Sequence, residues 1–154
     1  MRIWRIVTAR HAAFDGEGCR RYGSRWTPRG LPAVFASATL SLAVLERFVH
    51  TDPDLEPLDL VAVPVDIPAA VVVESIAPAD LPHDWRSYPA PPALARIGER
   101  WLRDGRTAVL TVPSVVIPIE RNYILNPAHA QFARLIPGPA EPFTFDPRMW
   151  TRPR

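Results

Sequence analysis

The run "AVFASATLSLAVLERFVH" (33–50) carries the clearest local structure signals in the chain and decides the fold prediction. Its first residues, "AVFA" (33–36), have the side chains of a short buried strand. The apolar residues that follow recur at three- and four-residue spacing, which predicts a helix over 37–50 with Ser37 as its N-cap. The segment "TDPDLEP" (51–57) is expected to end this helix, because proline and aspartate favour turns. A strand is therefore followed at once by a largely buried helix.

Short apolar runs separated by prolines and turn residues make up the rest of the chain. Further strands are predicted at 3–7, 58–67, 69–76, 107–112, 114–119 and 143–146. Irregular segments are expected at 8–32, 78–92 and 120–136, the last of which ends in a short helix. Pro64 indicates that its strand lies at a sheet edge or carries a bulge, since proline lacks the ladder donor.

A second, amphipathic helix is predicted over 92–105, with Gly105 as the left-handed residue after it. Its inward face consists of Leu94, Ile97, Trp101 and Leu102. Strands and helices alternate too irregularly for a doubly wound sheet. The order of elements therefore predicts a mixed α+β domain.

Composition bounds the class of protein. The chain has 154 residues, of which 47% are hydrophobic, and this suits a single domain with its own core. All 18 basic residues are arginine and the net charge is only +2, so arginine count alone does not indicate a nucleic-acid surface. One cysteine excludes a disulfide framework. No apolar run is long enough to cross a membrane and no secretory signal opens the chain, so a cytoplasmic protein without membrane contact is expected.

Several common site motifs are absent from the sequence. "DGEGC" (15–19) contains G-x-G without the third glycine, and no helix is expected after it, so a Rossmann site is not indicated. There is no P-loop, no H-E-x-x-H and no nucleophile elbow. Cys19 lacks partners at ligand spacing, so no metal site is predicted.

Arg25 and Glu46 are the first candidate functional residues. A guanidinium is the preferred partner of phosphate because it donates two parallel hydrogen bonds, and Arg25 could serve in this way. The alternative is a structural Arg25 paired with a carboxylate, with Trp26 packed beneath it. Glu46 lies in an otherwise apolar helix, where a carboxylate needs a partner or a cleft. His50, four residues on, could supply an ordinary surface pair instead.

Ser114, Asn122 and Asn126 are weaker candidates. Ser114 follows a proline between two β-rich runs, where a hydroxyl can cap, fill a bulge or bind a ligand. The asparagines and His129 fit ordinary turn chemistry, since Asn-Pro favours turns.

Four segments taken together resemble one family. They are "IWRI" (3–6), "RRYGSRW" (20–26), the run at 33–50, and "VPSVVIPIERNYILNPAH" (112–129). This ordered set resembles the RES-domain family, the toxins of bacterial type II toxin–antitoxin modules, named for an arginine, a glutamate and a serine. The resemblance extends from about Trp4 to Phe145. It implies one RES domain over 1–154, with a core at about 4–145 and a short C-terminal tail.

The resemblance implies an α+β, ADP-ribosyltransferase-like mixed-sheet fold with an NAD-binding cleft. The family's arginine, glutamate and serine fall on Arg25, Glu46 and Ser114, which are the expected catalytic residues. Arg25 would hold the pyrophosphate, and Ser114 would position the ribose or Glu46. Phe35 stands where the family usually has tyrosine, so it would keep the ring against nicotinamide and lose the hydroxyl. Thr27 stands where asparagine is usual.

Two further substrate-binding residues, Tyr22 and Arg5, are expected in the cleft. Asn122 and Asn126 are interpreted as scaffold for the Ser114 strand and the turn after it. Arg20 and Arg21 receive no role.

The activity implied by the resemblance is cleavage of the nicotinamide–ribose bond of NAD+, by hydrolysis or phosphorolysis, which depletes cellular NAD and arrests growth. One alternative is a mono-ADP-ribosyltransferase that modifies a host protein. Another, motivated by Phe35, is a weakened domain that only binds its antitoxin. NAD+ is the substrate in the two enzymatic interpretations, and no permanently bound cofactor is expected.

The partner implied by the resemblance is an Xre-type helix-turn-helix antitoxin. Contact with DNA would be indirect, through that partner. Phosphate is a conceivable second substrate, and a homodimer is an open expectation.

Overall fold

The computed structural model describes residues 1–52 and 57–150 of the chain, and these residues build one eight-stranded sheet with helices against it. The strands are β1 (Arg2–Thr8), β2 (Val34–Ser37), β3 (Leu60–Asp66), β4 (Val73–Ser75), β5 (Val109–Pro113), β6 (Arg121–Leu125), β7 (Ile136–Pro137) and β8 (Glu141–Phe143). The α-helices are α1 (Glu17–Tyr22), α2 (Leu40–Val49) and α3 (Pro92–Asp104). Short 3₁₀ turns lie at Ala9–His11, Pro78–Asp80, Ala130–Arg134 and Pro147–Trp150.

The sheet is mixed. Its strand order is β4-β5-β6-β2-β1-β3-β7, and β8 pairs with β3 beside β7. Only β4 and β5 run parallel among these pairs. The remaining pairs are antiparallel, so the α+β prediction is confirmed and a doubly wound parallel sheet is excluded.

Both long helices pack on the same face of the sheet. Ile124 belongs to the cluster beneath α3, whereas the next residue, Leu125, belongs to the cluster on the opposite face. Trp4 packs with α2 in a third cluster. The register places Trp4 opposite Ser37 and Ser37 opposite Asn122, so Trp4 shares the face of Ile124, two residues beyond Asn122.

The predicted helices are present, with a correction at the start of the first. Ser37 is the last residue of β2 and not an N-cap; the N-cap of α2 is Thr39, whose side chain accepts from the Leu42 amide. The prediction over 92–105 is confirmed, and Gly105 closes α3 with a φ of 58°. Part of the predicted turn at 51–57 lies outside the described residues, as do residues 151–154 of the C-terminal tail.

The order of strand and loop after Pro113 was predicted wrongly. Residues 114–119, expected as a strand, form turns, because the Ser114 hydroxyl accepts the amides of Val116 and Ile117 and takes them out of any ladder. Arg121–Leu125, expected as a loop, is β6, a central strand between β5 and β2. Its polar start misled the prediction, since polar residues in an interior strand are unusual.

Smaller corrections concern a short helix in a segment expected to be irregular and the bounds of three strands. The segment 8–32 contains α1, whose first turn is supported by Glu17 paired with Arg20 and Arg21. β4 starts at Val73, later than expected. The last strand, expected at 143–146, is β8 at Glu141–Phe143, and β7 was not predicted.

Pro64 lies where the outer neighbour of β3 changes. β8 pairs with Leu60–Ala62 and β7 with Val65 and Asp66, so the missing amide of Pro64 falls in the gap between them. Its carbonyl accepts from Gly138 at 2.8 Å. The prediction of an edge strand is therefore wrong, because β3 is paired on both sides, and Pro64 is tolerated at the gap between its two outer neighbours.

Candidate active site

A cleft of about 910 Å³ opens where β1 and β2 separate. The two strands share a single register pair, Trp4 with Ser37, and diverge beyond it. Residues of both strands line the opening, together with α2, the loop at 23–26 and the segments at 86–88 and 115–116. The volume is in the range of small-molecule and cofactor sites. Of the candidate residues, Arg25, Phe35, Glu46, Arg5 and Asn122 line this cleft.

Glu46 is held by two side chains from other elements. Ser114 Oγ donates to Oε1 of Glu46 at 2.7 Å, and Asn122 Nδ2 donates to the same oxygen at 2.6 Å. Asn122 Oδ1 in turn accepts from Ser37 Oγ at 2.8 Å. A carboxylate can only accept hydrogen bonds, so the NH2 group of Asn122, and not its carbonyl oxygen, faces Glu46. The other oxygen, Oε2, receives no hydrogen bond from the described residues and remains available to a ligand.

The Ser114 hydroxyl has a fixed direction. Its oxygen accepts the amides of Val116 at 3.1 Å and Ile117 at 2.9 Å, so its single proton is left for Glu46. Ser114 is fully buried and does not line the cleft. Of the two roles considered for Ser114, this geometry favours positioning of Glu46 over direct contact with a ligand.

Arg25 presents one edge of its guanidinium to the cleft. Its Nη1 donates to the carbonyls of Trp85 at 3.0 Å and Ser87 at 3.1 Å. The Nε and Nη2 edge is not used by the described residues, and this edge has the fork geometry that binds phosphate or carboxylate. Burial lowers the pKa of Arg25, while the negative charge of Glu46 opposes that change. The structural alternative, Arg25 in an ion pair with a carboxylate, is not formed among the described residues.

The loop that carries Arg25 is backed by α3. Trp26 is buried in the α3 cluster. The absence of a side chain at Gly98 permits this approach, because a Cβ there would lie 1.8 Å from the Trp26 carbonyl oxygen. The position of Arg25 therefore depends on a contact between two backbones.

The two departures from the family pattern differ in location. Phe35 is half-buried on β2 and lines the cleft. Thr27 is buried, and its Oγ1 lies 2.7 Å from Cys19 Sγ and 2.8 Å from Ser24 Oγ. Thr27 therefore acts on loop packing and not on the cleft surface.

Arg5 and Tyr22 differ from the expectation for substrate-binding residues. The β1 segment at Arg5 lines the cleft, but its guanidinium donates to the Ala13 carbonyl at 3.3 Å and lies 5.8 Å from the Phe14 ring centroid. Burial lowers the pKa of Arg5 to about 10. Tyr22 ends α1 with 74% of its surface exposed and does not line the cleft.

The remaining polar residues near the site differ in whether they contact Glu46, the cleft or only the scaffold. The pair of Glu46 with His50 is not formed, although His50 also lines the cleft. Asn126 donates to the Leu102 carbonyl at 3.2 Å and accepts the Ala128 amide at 3.0 Å, as expected for scaffold. Asn122 goes beyond its predicted scaffold role because it contacts Glu46 directly. Arg47, which sequence reasoning did not single out, also lines the cleft.

No metal cluster is formed in the part of the chain that the structure describes. The helices within 1–52 and 57–150 include none that is long and apolar enough to span a bilayer.

Fold and site together define a small α+β domain whose mixed sheet opens into a ligand cleft centred on a fixed glutamate. The RES domain model matches residues 2–146, and the chain belongs to this family. The resemblance inferred from the sequence is thereby confirmed.

Relatives and a solved structure agree with this assignment. The chain is 35% identical over 155 residues to "Toxin Res" of Yersinia enterocolitica, with 97% of this chain and 99% of the relative covered. It is 36% identical over 153 residues to the "Prs ADP-ribosylating toxin" of Sphingobium, with 96% and 95% covered. A chain of the M. tuberculosis MbcT–MbcA toxin–antitoxin complex has the same fold, with a TM-score of 0.74 at 18% identity over 97% of this chain and 86% of that one.

Proposed function

We propose that this protein is the toxin of a toxin–antitoxin module and that it breaks the nicotinamide–ribose bond of NAD+. The observation that carries the proposal is the Glu46 carboxylate, which Ser114 and Asn122 fix through one oxygen while the other stays available in the cleft. The family relationship to toxins supports the biological role.

The chemistry of this bond suits a fixed carboxylate. When the bond between ribose C1′ and the nicotinamide nitrogen breaks, the electron pair goes to nicotinamide, which leaves as a neutral molecule. Positive charge then develops on the ribose, and an acceptor such as water attacks C1′ and loses a proton. A carboxylate held near the ribose stabilises that charge and orients the attacking group. Glu46 is the residue for this role.

The remaining cleft residues would bind and orient the dinucleotide. The Nε and Nη2 edge of Arg25 would hold the pyrophosphate, which fixes the position of the ribose relative to Glu46. Phe35 would stack against nicotinamide or shape its pocket. Ser114 would act through Glu46 as a positioning residue.

The test is NAD+ loss and nicotinamide release by purified protein, with and without added phosphate. We expect wild type to consume NAD+, and Glu46→Gln to abolish turnover while folding normally. Glu99→Gln on α3 is the matched control, because it removes a carboxylate from a surface pair with Arg103. An inert wild type in both buffers, or a fully active Glu46→Gln, would overturn the proposal.

A second candidate is transfer of ADP-ribose to a protein. The observation favouring it is the Sphingobium relative, which is named an ADP-ribosylating toxin. The same cleft would serve, with a nucleophilic side chain of the target in place of water. Labelled NAD+ in a cell lysate separates the two: a discrete labelled protein band supports transfer, and rapid NAD+ loss without a band supports cleavage.

An antitoxin of the Xre type in the cytoplasm is the proposed partner. The solved toxin–antitoxin complex supports an antitoxin partner, and its Xre type rests on the resemblance. We expect growth arrest on expression of the chain alone and rescue by the neighbouring antitoxin gene. Arrest that the Glu46→Gln variant also caused would point to a toxicity unrelated to the cleft.

A further inference from the structure

Arg47 lines the cleft, and none of the described residues accepts a hydrogen bond from its guanidinium. It follows Glu46 on α2, and its guanidinium makes no hydrogen bond or ion pair with the described residues. Its Nε is buried and has no partner. Burial lowers the pKa of Arg47, and no neighbouring carboxylate acts against that change. Arg25 differs, since two carbonyls and the charge of Glu46 accompany it.

Such a placement costs stability. A guanidinium that is partly removed from water without a counter-charge among the described residues is unfavourable, and proteins retain such groups where a ligand needs them. The buried nitrogens without a partner in the described part of the chain are Nε of Arg5 and Nε of Arg47. The terminal nitrogens of Arg47 are not among these buried atoms, and no described residue hydrogen-bonds to them, so they are open to a ligand in the cleft that Arg47 lines.

We propose that the terminal nitrogens of Arg47 bind a phosphate oxyanion in the cleft, at a position separate from the phosphate-binding edge of Arg25. The identity of the phosphate rests on the proposed function. Two sources share this chemistry: the second phosphate of the dinucleotide, or free inorganic phosphate acting as the acceptor.

The geometry of α2 supports a division of roles. Consecutive residues of a helix point about 100° apart, so Glu46 and Arg47 leave the helix in different directions within one cleft. The carboxylate can then face a ribose while the guanidinium faces a phosphate. A pyrophosphate carries two negative charges, and Arg25 offers only one free edge, because its Nη1 is committed to Trp85 and Ser87.

The experiment measures binding in a chain that cannot turn over. Arg47→Gln is placed in the Glu46→Gln background, and isothermal titration is run with ADP-ribose, inorganic phosphate and nicotinamide riboside. Arg103→Gln in the same background is the matched control, since Arg103 is a surface arginine on α3. We expect Arg47→Gln to bind ADP-ribose or phosphate about tenfold more weakly, as loss of a charge-assisted contact predicts. Nicotinamide riboside, which has no pyrophosphate, should bind unchanged.

The probe that binds more weakly to Arg47→Gln identifies the source of the phosphate. Weaker ADP-ribose binding with unchanged phosphate binding assigns Arg47 to the dinucleotide. The reverse assigns it to free phosphate, and activity assays should then show a raised KM for phosphate only. The subsite would be overturned if Arg47→Gln in the Glu46→Gln background bound ADP-ribose and phosphate as tightly as Glu46→Gln alone. It would also be overturned if Glu46→Gln alone bound neither of these two probes. These titrations remain decisive even if the wild-type chain does not cleave NAD+.

Thermal melting distinguishes a phosphate-binding role of Arg47 from a purely structural one. Removing a partly buried guanidinium that has no partner among the described residues should leave the melting temperature unchanged or raise it. A clear fall in the melting temperature of Arg47→Gln, with probe binding unchanged, would identify a packing residue and refute the proposal.

Discussion

Ser114 and Glu46 lie 68 positions apart in the chain, and their side chains meet in a 2.7 Å hydrogen bond. Two backbone amides occupy the Ser114 oxygen, so the proton of its hydroxyl is directed at Glu46. The bond joins the end of β5 to α2 across the site. It makes Ser114 a residue that acts through Glu46, and this role can be tested.

Replacing Ser114 by alanine should lower NAD+ turnover while leaving KM nearly unchanged. A lost hydrogen bond to a charged group is worth about 1.5–3 kcal/mol, or roughly 10- to 150-fold in rate. Steady-state kinetics check this, and Ser41→Ala, an exposed hydroxyl on the same helix as Glu46, is the control. A raised KM with normal turnover would instead mean that Ser114 contacts the substrate.

Replacing Gly98 by alanine should destabilise the domain and impair NAD+ binding together. The added Cβ would meet the Trp26 carbonyl and push away the loop that carries Arg25. Overpacking costs about 1–3 kcal/mol, a fall of roughly 2–12 °C in melting temperature for a domain of this size. Calorimetry measures this fall in melting temperature.

The matched control for Gly98 is Gly18→Ala on α1, where a Cβ meets no atom within 4 Å. A glycine-to-alanine change at a compatible position stabilises by about 0.4–1 kcal/mol. Equal effects of the two substitutions would contradict the close contact between α3 and the Arg25 loop.

Replacing Phe35 by tyrosine should raise NAD+ turnover. The ring lines the cleft, and the added hydroxyl would supply one hydrogen bond that the phenylalanine cannot make. One such bond is worth about 1 kcal/mol, or roughly fivefold in rate. An inert wild type rescued by Phe35→Tyr would identify a weakened domain. No change in turnover would show that the hydroxyl is unimportant in this chain.

Replacing Arg25 by lysine should weaken NAD+ binding and loosen the segment around 85–88. Lysine keeps the charge but lacks the planar fork that contacts two carbonyls and a phosphate at once. We expect affinity to fall about tenfold or more, and amide hydrogen exchange at 85–88 to become faster. Arg20→Lys on α1 is the control, because Arg20 is an exposed residue paired with Glu17. Unchanged exchange would show that Arg25 does not fix this segment.

The thiol of Cys19 should react slowly with thiol reagents in the folded protein. Burial raises the pKa of Cys19, with hydrogen bonds to Thr27 and Ser24 acting against the rise. Less thiolate is therefore present at a given pH than in the unfolded chain, and the rate should increase as pH rises. Labelling in buffer and in urea at pH 8 gives the comparison. Equal rates would mean that the Cys19 loop is open.

The local structure was predictable wherever a periodic apolar pattern was present. The helix at 92–105 and the strand at 33–36 followed from side-chain spacing, because both bury one face against the sheet. The order of strand and turn around Ser114 and Asn122 was not predictable. There the hydroxyl of Ser114 competes with the ladder, and a polar segment is drawn into the sheet interior by strands on both sides.

The sequence by itself determined the family and singled out Arg25, Glu46 and Ser114 as candidate site residues, since ordered motifs are carried by residue types and their spacing. Only the tertiary structure decided that Asn122 contacts Glu46, and that Arg47 lines the cleft with no partner for its guanidinium among residues 1–52 and 57–150. The physical reason is the distance along the chain between the residues that meet. Spacing along a chain records which face of an element is buried, whereas contacts over 68 and 76 residues depend on strand order and register.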